Sequence, residues 1–152
     1  MKILEVLPKE AIITDLKSKV KNEVIEELVA SISKITGINS AELIKVLLER
    51  ERLGSTGIGG GIGIPHGKLK NLESLIMGFG LSRKGVDFES IDGRPAHLFF
   101  ILLTPENSTG LHLKLLARIS RLLKNESFKK KLMDATDSNQ VYSIIEEVDE
   151  DF

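Results

Sequence analysis

The chain has no cysteine and no tryptophan, only four prolines, and aromatic residues at 5% of its 152 positions. Without cysteine there can be no disulfide, no thiolate nucleophile and no cysteine-based zinc site, and the balance tips towards a reducing compartment. With so few aromatics, the 41% of apolar residues must build a core mainly from Leu, Ile and Val. An excess of one charge sign is also missing. Lys and Arg number 21 against 22 Asp and Glu, a formal net charge of −1, so no global basic field draws nucleic acid. Long apolar runs are lacking too. The longest, Leu98–Leu103, falls far short of the roughly 20 residues of a membrane span. The opening Met1–Pro8 has too short an apolar run and too early an acid for a secretory signal. Together these features predict one soluble, cytoplasmic domain covering residues 1–152, with no membrane insertion.

The order of elements follows from periodicity. Residues 12–14 suit a short strand, and Val20, Val24, Leu28, Ile32 and Ile35 recur at helical spacing within 17–35, closed by Gly37. Asn39 with Glu42 resembles a capping box and opens a second helix that ends near Arg52. Strands are expected at Ile62–Ile64, Leu75–Leu81, Val86–Phe88 and His97–Leu103, with a turn at Asp92-Gly93. The last of these is continuously apolar, which suits a strand covered on both faces. After Thr104-Pro105 the pattern is helical: Leu111–Leu122, residues 126–134, and a helix capped by Asp137 with Val141, Ile144, Ile145 and Val148 inward. Helices, then strands, then helices predict an α/β layered domain with a mixed parallel and antiparallel sheet flanked by helices on both faces.

The densest signal is the glycine-rich run Gly54–Gly63 followed by Ile64-Pro65-His66-Gly67-Lys68. Proline fixes the chain direction, and the small residues leave His66 unobstructed with backbone N–H groups nearby, an environment suited to an anion such as a phosphoryl group. A Walker loop is excluded, because Ile62 stands at its first glycine and Leu69 at its hydroxyl position. A dinucleotide fingerprint fails in every frame: starting at Gly57, Gly59 or Gly61, its last glycine falls on Ile62, Ile64 or His66. The alternative is a flexible glycine turn with an incidental histidine.

His66, His97 and His112 are the three histidines. No pair has helical metal-ligand spacing and no carboxylate cluster completes a shell, so no metal site is expected. His97 reads as a strand-end residue with a local hydrogen bond. His112, in the first turn of a helix, reads either as a boundary histidine on the core or as a second imidazole whose N–H meets an anion on His66, and spacing favours the first. Arg50 and Arg52 end the second helix. Either is a solvated helix-end cation or a bidentate partner for phosphate oxygens. A neutral imidazole is a usable nucleophile near neutral pH, and the equatorial oxygens of a transferring phosphoryl need neutralising. An arginine and a second imidazole beside His66 would do that with neither metal nor nucleotide cofactor.

Arg50-Glu-Arg-Leu-Gly-Ser-Thr-Gly-Ile-Gly59, Gly63-Ile-Pro-His66-Gly-Lys68, Val86-Asp-Phe88, Asp92-Gly-Arg-Pro95 and Leu111-His112-Leu113 closely resemble the type-2 enzyme IIA family. These are the fructose, mannitol and nitrogen-related IIA domains of the bacterial phosphoenolpyruvate-dependent phosphotransferase system. The resemblance spans essentially the whole chain and is closest to the nitrogen-related branch. It implies that His66 is the phosphoryl acceptor, that His112 and Arg50 stabilise the phosphate, and that Arg52 does not. It also implies HPr, or its nitrogen-related paralogue, as donor. Gly63 departs from the alanine usual before Ile-Pro-His.

Three functions compete. The first is a phosphoryl relay whose phosphorylation state is its regulatory output. The second is a sugar-specific IIA component that passes phosphate to a separate IIB cysteine, since this chain has no cysteine of its own. The third is a binding module that no longer takes phosphate, against which the intact Arg50, His66 and His112 argue. A cluster of Lys124, Lys129, Lys130 and Lys131 reads as a solvated helix end rather than a nucleic-acid surface.

Overall fold

The computed structural model describes all 152 residues. Two short 3-10 turns, Ile3–Glu5 and Lys9–Ala11, lead into β1 (Ile12–Ile13) and the helices α1 (Lys21–Thr36) and α2 (Ser40–Arg52). Three short strands follow, β2 (Gly57–Gly59), β3 (Ile62–Gly63) and β4 (His66–Leu69), then two long ones, β5 (Ile76–Val86) and β6 (Ala96–Pro105). Helices α3 (Thr109–Leu122), α4 (Glu126–Asp134) and α5 (Ser138–Val148) complete the chain. None is long and apolar enough to cross a membrane.

The sheet is mixed, as the sequence predicts. β5 and β6 pair antiparallel at its centre, and β1 joins β5 in parallel. Along the other edge of β6 run β3 and then β4, both parallel to it, with β2 antiparallel outside β3. Alternation along β6 divides the interior in two. Leu98, Phe100 and Leu102 join a core with α3, α4 and α5, while Phe99, Ile101 and Leu103 join one with α1 and α2. The same alternation on β5 sets Met77, Phe79 and Leu81 towards the first core. Gly78 and Gly80 face α1, where an added Cβ would come within 2.7 Å of Ile101 and 2.6 Å of Leu28. Those glycines, which blur the pattern in the sequence, let α1 lie close to the sheet.

Helix ends match their signals with two differences. Gly37, at φ +75°, stops α1 and returns its N–H to Ser33, a conformation glycine adopts without strain. Asn39 caps α2 by accepting from the Ala41 N–H at 2.8 Å rather than in a reciprocal box with Glu42. The first helix starts at Lys21, not Lys17, because the Glu27 carboxylate reaches back to the N–H groups of Lys17 and Ser18 and Val20 bridges Asp87. Strand β5 runs on to Val86, absorbing part of the separate strand expected at Val86–Phe88.

Candidate active site around His66

His66 opens β4, where its register partner on β6 is Leu102. Side chains alternate across a strand, so His66 and Gly67 face opposite layers. Gly67 turns to α2, where a Cβ would sit 2.5 Å from Val46 Cγ1. His66 turns to α3, where the His112 ring lies 5.4 Å away between centroids, tilted by 56°. The two imidazoles that the sequence places far apart are therefore neighbours.

The tautomer of His66 is fixed by its partner. Nδ1 lies 2.7 Å from the Ile64 carbonyl oxygen. A carbonyl can only accept, so Nδ1 carries the proton and Nε2 keeps a bare lone pair. Burial pushes the pKa of His66 below its ordinary 6.5, partly opposed by the Ile64 hydrogen bond, with Arg50 adding to the decrease and Glu51 opposing it. His112 is buried and its pKa is lowered from 6.5 to about 4, first by burial and then by the charges of His66 and Lys68. Both rings are thus held towards the neutral form at neutral pH.

The two arginines part company. Arg50 donates from Nη1 to the Gly54 carbonyl at 2.9 Å, and its charge is felt at His66. Arg52 is exposed beside Lys21, Asn22 and Glu89, with no such effect on His66. Between them Glu51 points inward. It pairs with Lys21 at 2.9 Å and accepts from both the N–H (3.0 Å) and the hydroxyl of Thr56, which anchors the turn after Arg50. Lys68 donates to the Thr109 hydroxyl at 3.0 Å, tying β4 to the start of α3.

The glycine run differs from its expected role. It folds into the β2–β3 hairpin, and its tip spends its polar groups elsewhere: Gly60 N–H donates to Asp92 at 3.1 Å, and Gly61 C=O accepts from His97 and Leu98. Residue Ile62 pairs with Leu98 and His66 with Leu102, so the tip lies farther along the sheet edge and does not wrap His66. What the run contributes is its first residue, the Gly54 carbonyl that receives Arg50. His97 donates from Nδ1 to the Ser82 carbonyl at 2.9 Å, the local bond expected of it. Lys129, Lys130 and Lys131 pair with Glu126, Asp134 and Glu147. No group of three or more His, Cys, Asp or Glu side chains is placed to hold a metal ion.

Sequence reasoning missed two residues. Thr104, completely buried, lies 2.7 Å through Oγ1 from His112 Nδ1; in the sequence it marks only the point, with Pro105, after which the helical pattern begins. Its one sequence signal is a hydroxyl directly after six apolar strand residues. Glu51 gave no signal, since its partner Lys21 sits on another helix.

The fold is a mixed sheet between two helical layers, and the site is a half-buried neutral imidazole with one free nitrogen, a second imidazole next to it and a guanidinium whose charge acts on it. Both fit a phosphotransfer domain. The family described as "Phosphoenolpyruvate-dependent sugar phosphotransferase system, EIIA 2" matches residues 5–148, and the chain belongs to that family. It is 43% identical over 145 residues to the nitrogen regulatory protein of Bradyrhizobium diazoefficiens, covering 95% of each. It is 41% identical over 150 residues to the fructose-specific EIIABC component of Bacillus subtilis, covering 98% of this chain but 24% of that longer protein. Among solved structures, the nitrogen regulatory protein IIA-Ntr of Neisseria meningitidis superposes with a TM-score of 0.88 at 34% identity, over 93% of this chain and 97% of that one.

Proposed function

We propose that the protein is a phosphoryl relay that accepts phosphate on His66 Nε2 from the phosphohistidine of HPr or its nitrogen-related paralogue, and that its phosphorylation state is the output. The observation that carries this reading is the Ile64 hydrogen bond, which leaves Nε2 as the only nucleophilic nitrogen of an imidazole held neutral. In the transfer, the P–N bond of the donor breaks as a P–N bond to Nε2 forms. The proton stays on Nδ1, and its hydrogen bond to the Ile64 carbonyl oxygen stabilises the positive character that the ring gains. Arg50 supplies positive charge and donors, and the neutral His112 an N–H donor, to the equatorial oxygens, where nucleotide-dependent transfer relies on a metal ion. Likeness to a nitrogen regulatory protein along nearly the whole of both chains supports the regulatory output.

The fructose-specific relative supports a second reading, in which the phosphate passes to the cysteine of a separate IIB protein. Incubation with labelled phosphoenolpyruvate, enzyme I and either carrier tests the first step. Wild type should take up acid-labile, alkali-stable label and His66→Ala none; no label on wild type with either carrier would refute the relay. Adding fructose- or mannitol-type IIB then separates the two readings, because only the second expects rapid loss of label to it.

A further inference from the structure

His112 raises a question that its position alone does not answer. A neutral imidazole has one N–H, and only the tautomer with the proton on Nε2 can donate away from Thr104, because Nδ1 is committed to the Thr104 hydroxyl at 2.7 Å. We propose that Thr104 is the positioning residue that sets this tautomer, by donating its hydroxyl proton to Nδ1 so that His112 presents Nε2–H to the phosphoryl group on His66. The role given to His66 rests on the function proposed above; the tautomer does not.

The argument is one of satisfaction. Thr104 is completely buried, and its hydroxyl makes a single hydrogen bond, the one to His112. If Nδ1 carried the proton and donated, the hydroxyl hydrogen of this fully buried side chain would have no acceptor among its neighbours, a cost that buried polar groups rarely bear. If the hydroxyl donates, every proton has an acceptor and Nε2–H is left for the space beside His66. The choice matters only while the ring is neutral, since an imidazolium carries both protons. Burial, His66 and Lys68 keep it neutral near pH 7. A hydroxyl also tolerates a later change: if a phosphoryl on His66 draws a second proton onto His112, Oγ1 can turn and accept from Nδ1. No apolar side chain can do either.

Long-range 1H–15N correlation of the imidazoles at pH 7 reads the tautomer directly, in wild type, Thr104→Val and Thr104→Ser. Wild type should show His112 protonated on Nε2 and bare on Nδ1; the valine variant, similar in shape and suited to a strand, should lose that preference; the serine variant should regain it. A wild-type Nδ1–H tautomer, or a valine variant with an unchanged one, would overturn the proposal. For transfer, the initial rate of label uptake from phosphorylated HPr should fall roughly tenfold or more in Thr104→Val and recover in Thr104→Ser. A changed tautomer with an unchanged rate would refute the donor role of His112. Wild type that takes no label would refute the function of His66, and the spectra would still decide the tautomer.

Discussion

Gly67 follows the proposed acceptor, and replacing it with alanine tests how the site is assembled. Its φ lies outside the left-handed region, so alanine meets no backbone penalty and the effect is purely one of space. The added methyl would stand 2.5 Å from Val46 Cγ1, while Val46 Cβ is 3.8 Å away. Val46 and Arg50 lie one turn apart on the same face of α2. The close approach of Val46 to Gly67 therefore sets how near the Arg50 end of α2 lies to β4. Overpacking of this kind costs about 1–3 kcal/mol, and either α2 moves with Arg50 or β4 moves with His66. A displacement near an ångström can slow chemistry by up to about 100-fold, so label uptake should fall at least about tenfold beyond any loss of folded protein. Val46→Ala in the Gly67→Ala background removes the 2.5 Å clash and leaves ordinary 3.8 Å contacts to Cβ and the carbonyl oxygen of residue 46, so it should recover most of both losses. Urea unfolding gives the stability, and initial-rate labelling gives the function. Gly67→Ala with wild-type stability and rate, or a double variant no better than the single, would refute the reasoning.

Two further outcomes follow from the interior. Because His112 has a pKa of about 4 when folded against 6.5 ordinarily, the unfolded chain binds its proton first as pH falls. Its contribution is fully present above pH 6.5 and is lost between there and about 4, by up to about 3 kcal/mol at 1.36 kcal/mol per unit. Urea unfolding at pH 7, 5.5 and 4 should accordingly show a shallower decline for His112→Gln than for wild type; identical slopes would contradict it. Gly63→Ala puts a methyl 2.8 Å from two carbons of the buried Phe99 ring, so it should destabilise by about 1–3 kcal/mol despite alanine being usual in the family motif. A variant as stable as wild type in urea would show that the ring has room to move.

The parts of the fold legible in the sequence were those whose cause is local. Gly37, Asn39 and Asp137 punctuate helices through their own backbone and side chains, and the run Leu98–Leu103 is buried on both faces wherever the strand is placed. Strand β4 was not legible: His66-Gly67-Lys68-Leu69 has no apolar alternation and is a strand only because β6 offers it an edge. The glycine run was misread for a related reason. Composition announces a turn, but only the Asp92 and His97 contacts show that its polar groups are already in use. At the site, His66 could be picked from its neighbours. Arg50 was separated from Arg52, and His112 raised above a core histidine, only by family resemblance, because helical spacing carries no information about a partner on a distant strand.

The pairing of the two histidines has a single geometric cause. His66 is placed by its register opposite Leu102, and His112 is held by Thr104, two residues further along β6 on the same face. Two strand residues span about 6.6 Å, close to the 5.4 Å between the rings. Strand β6 thus acts as a ruler for both imidazoles, while the cation comes from the opposite layer through α2, whose distance is set by Gly67 against Val46. The separation of the imidazoles is therefore stiff, because shifting it means breaking the β4–β6 ladder or the Thr104–His112 hydrogen bond. The position of Arg50 is softer, because it depends on one helix-to-strand contact and on the turn that Glu51 and Lys21 anchor. If a partner protein senses phosphate on His66, the element free to respond is the end of α2 and its turn to Thr56, and not the histidine pair.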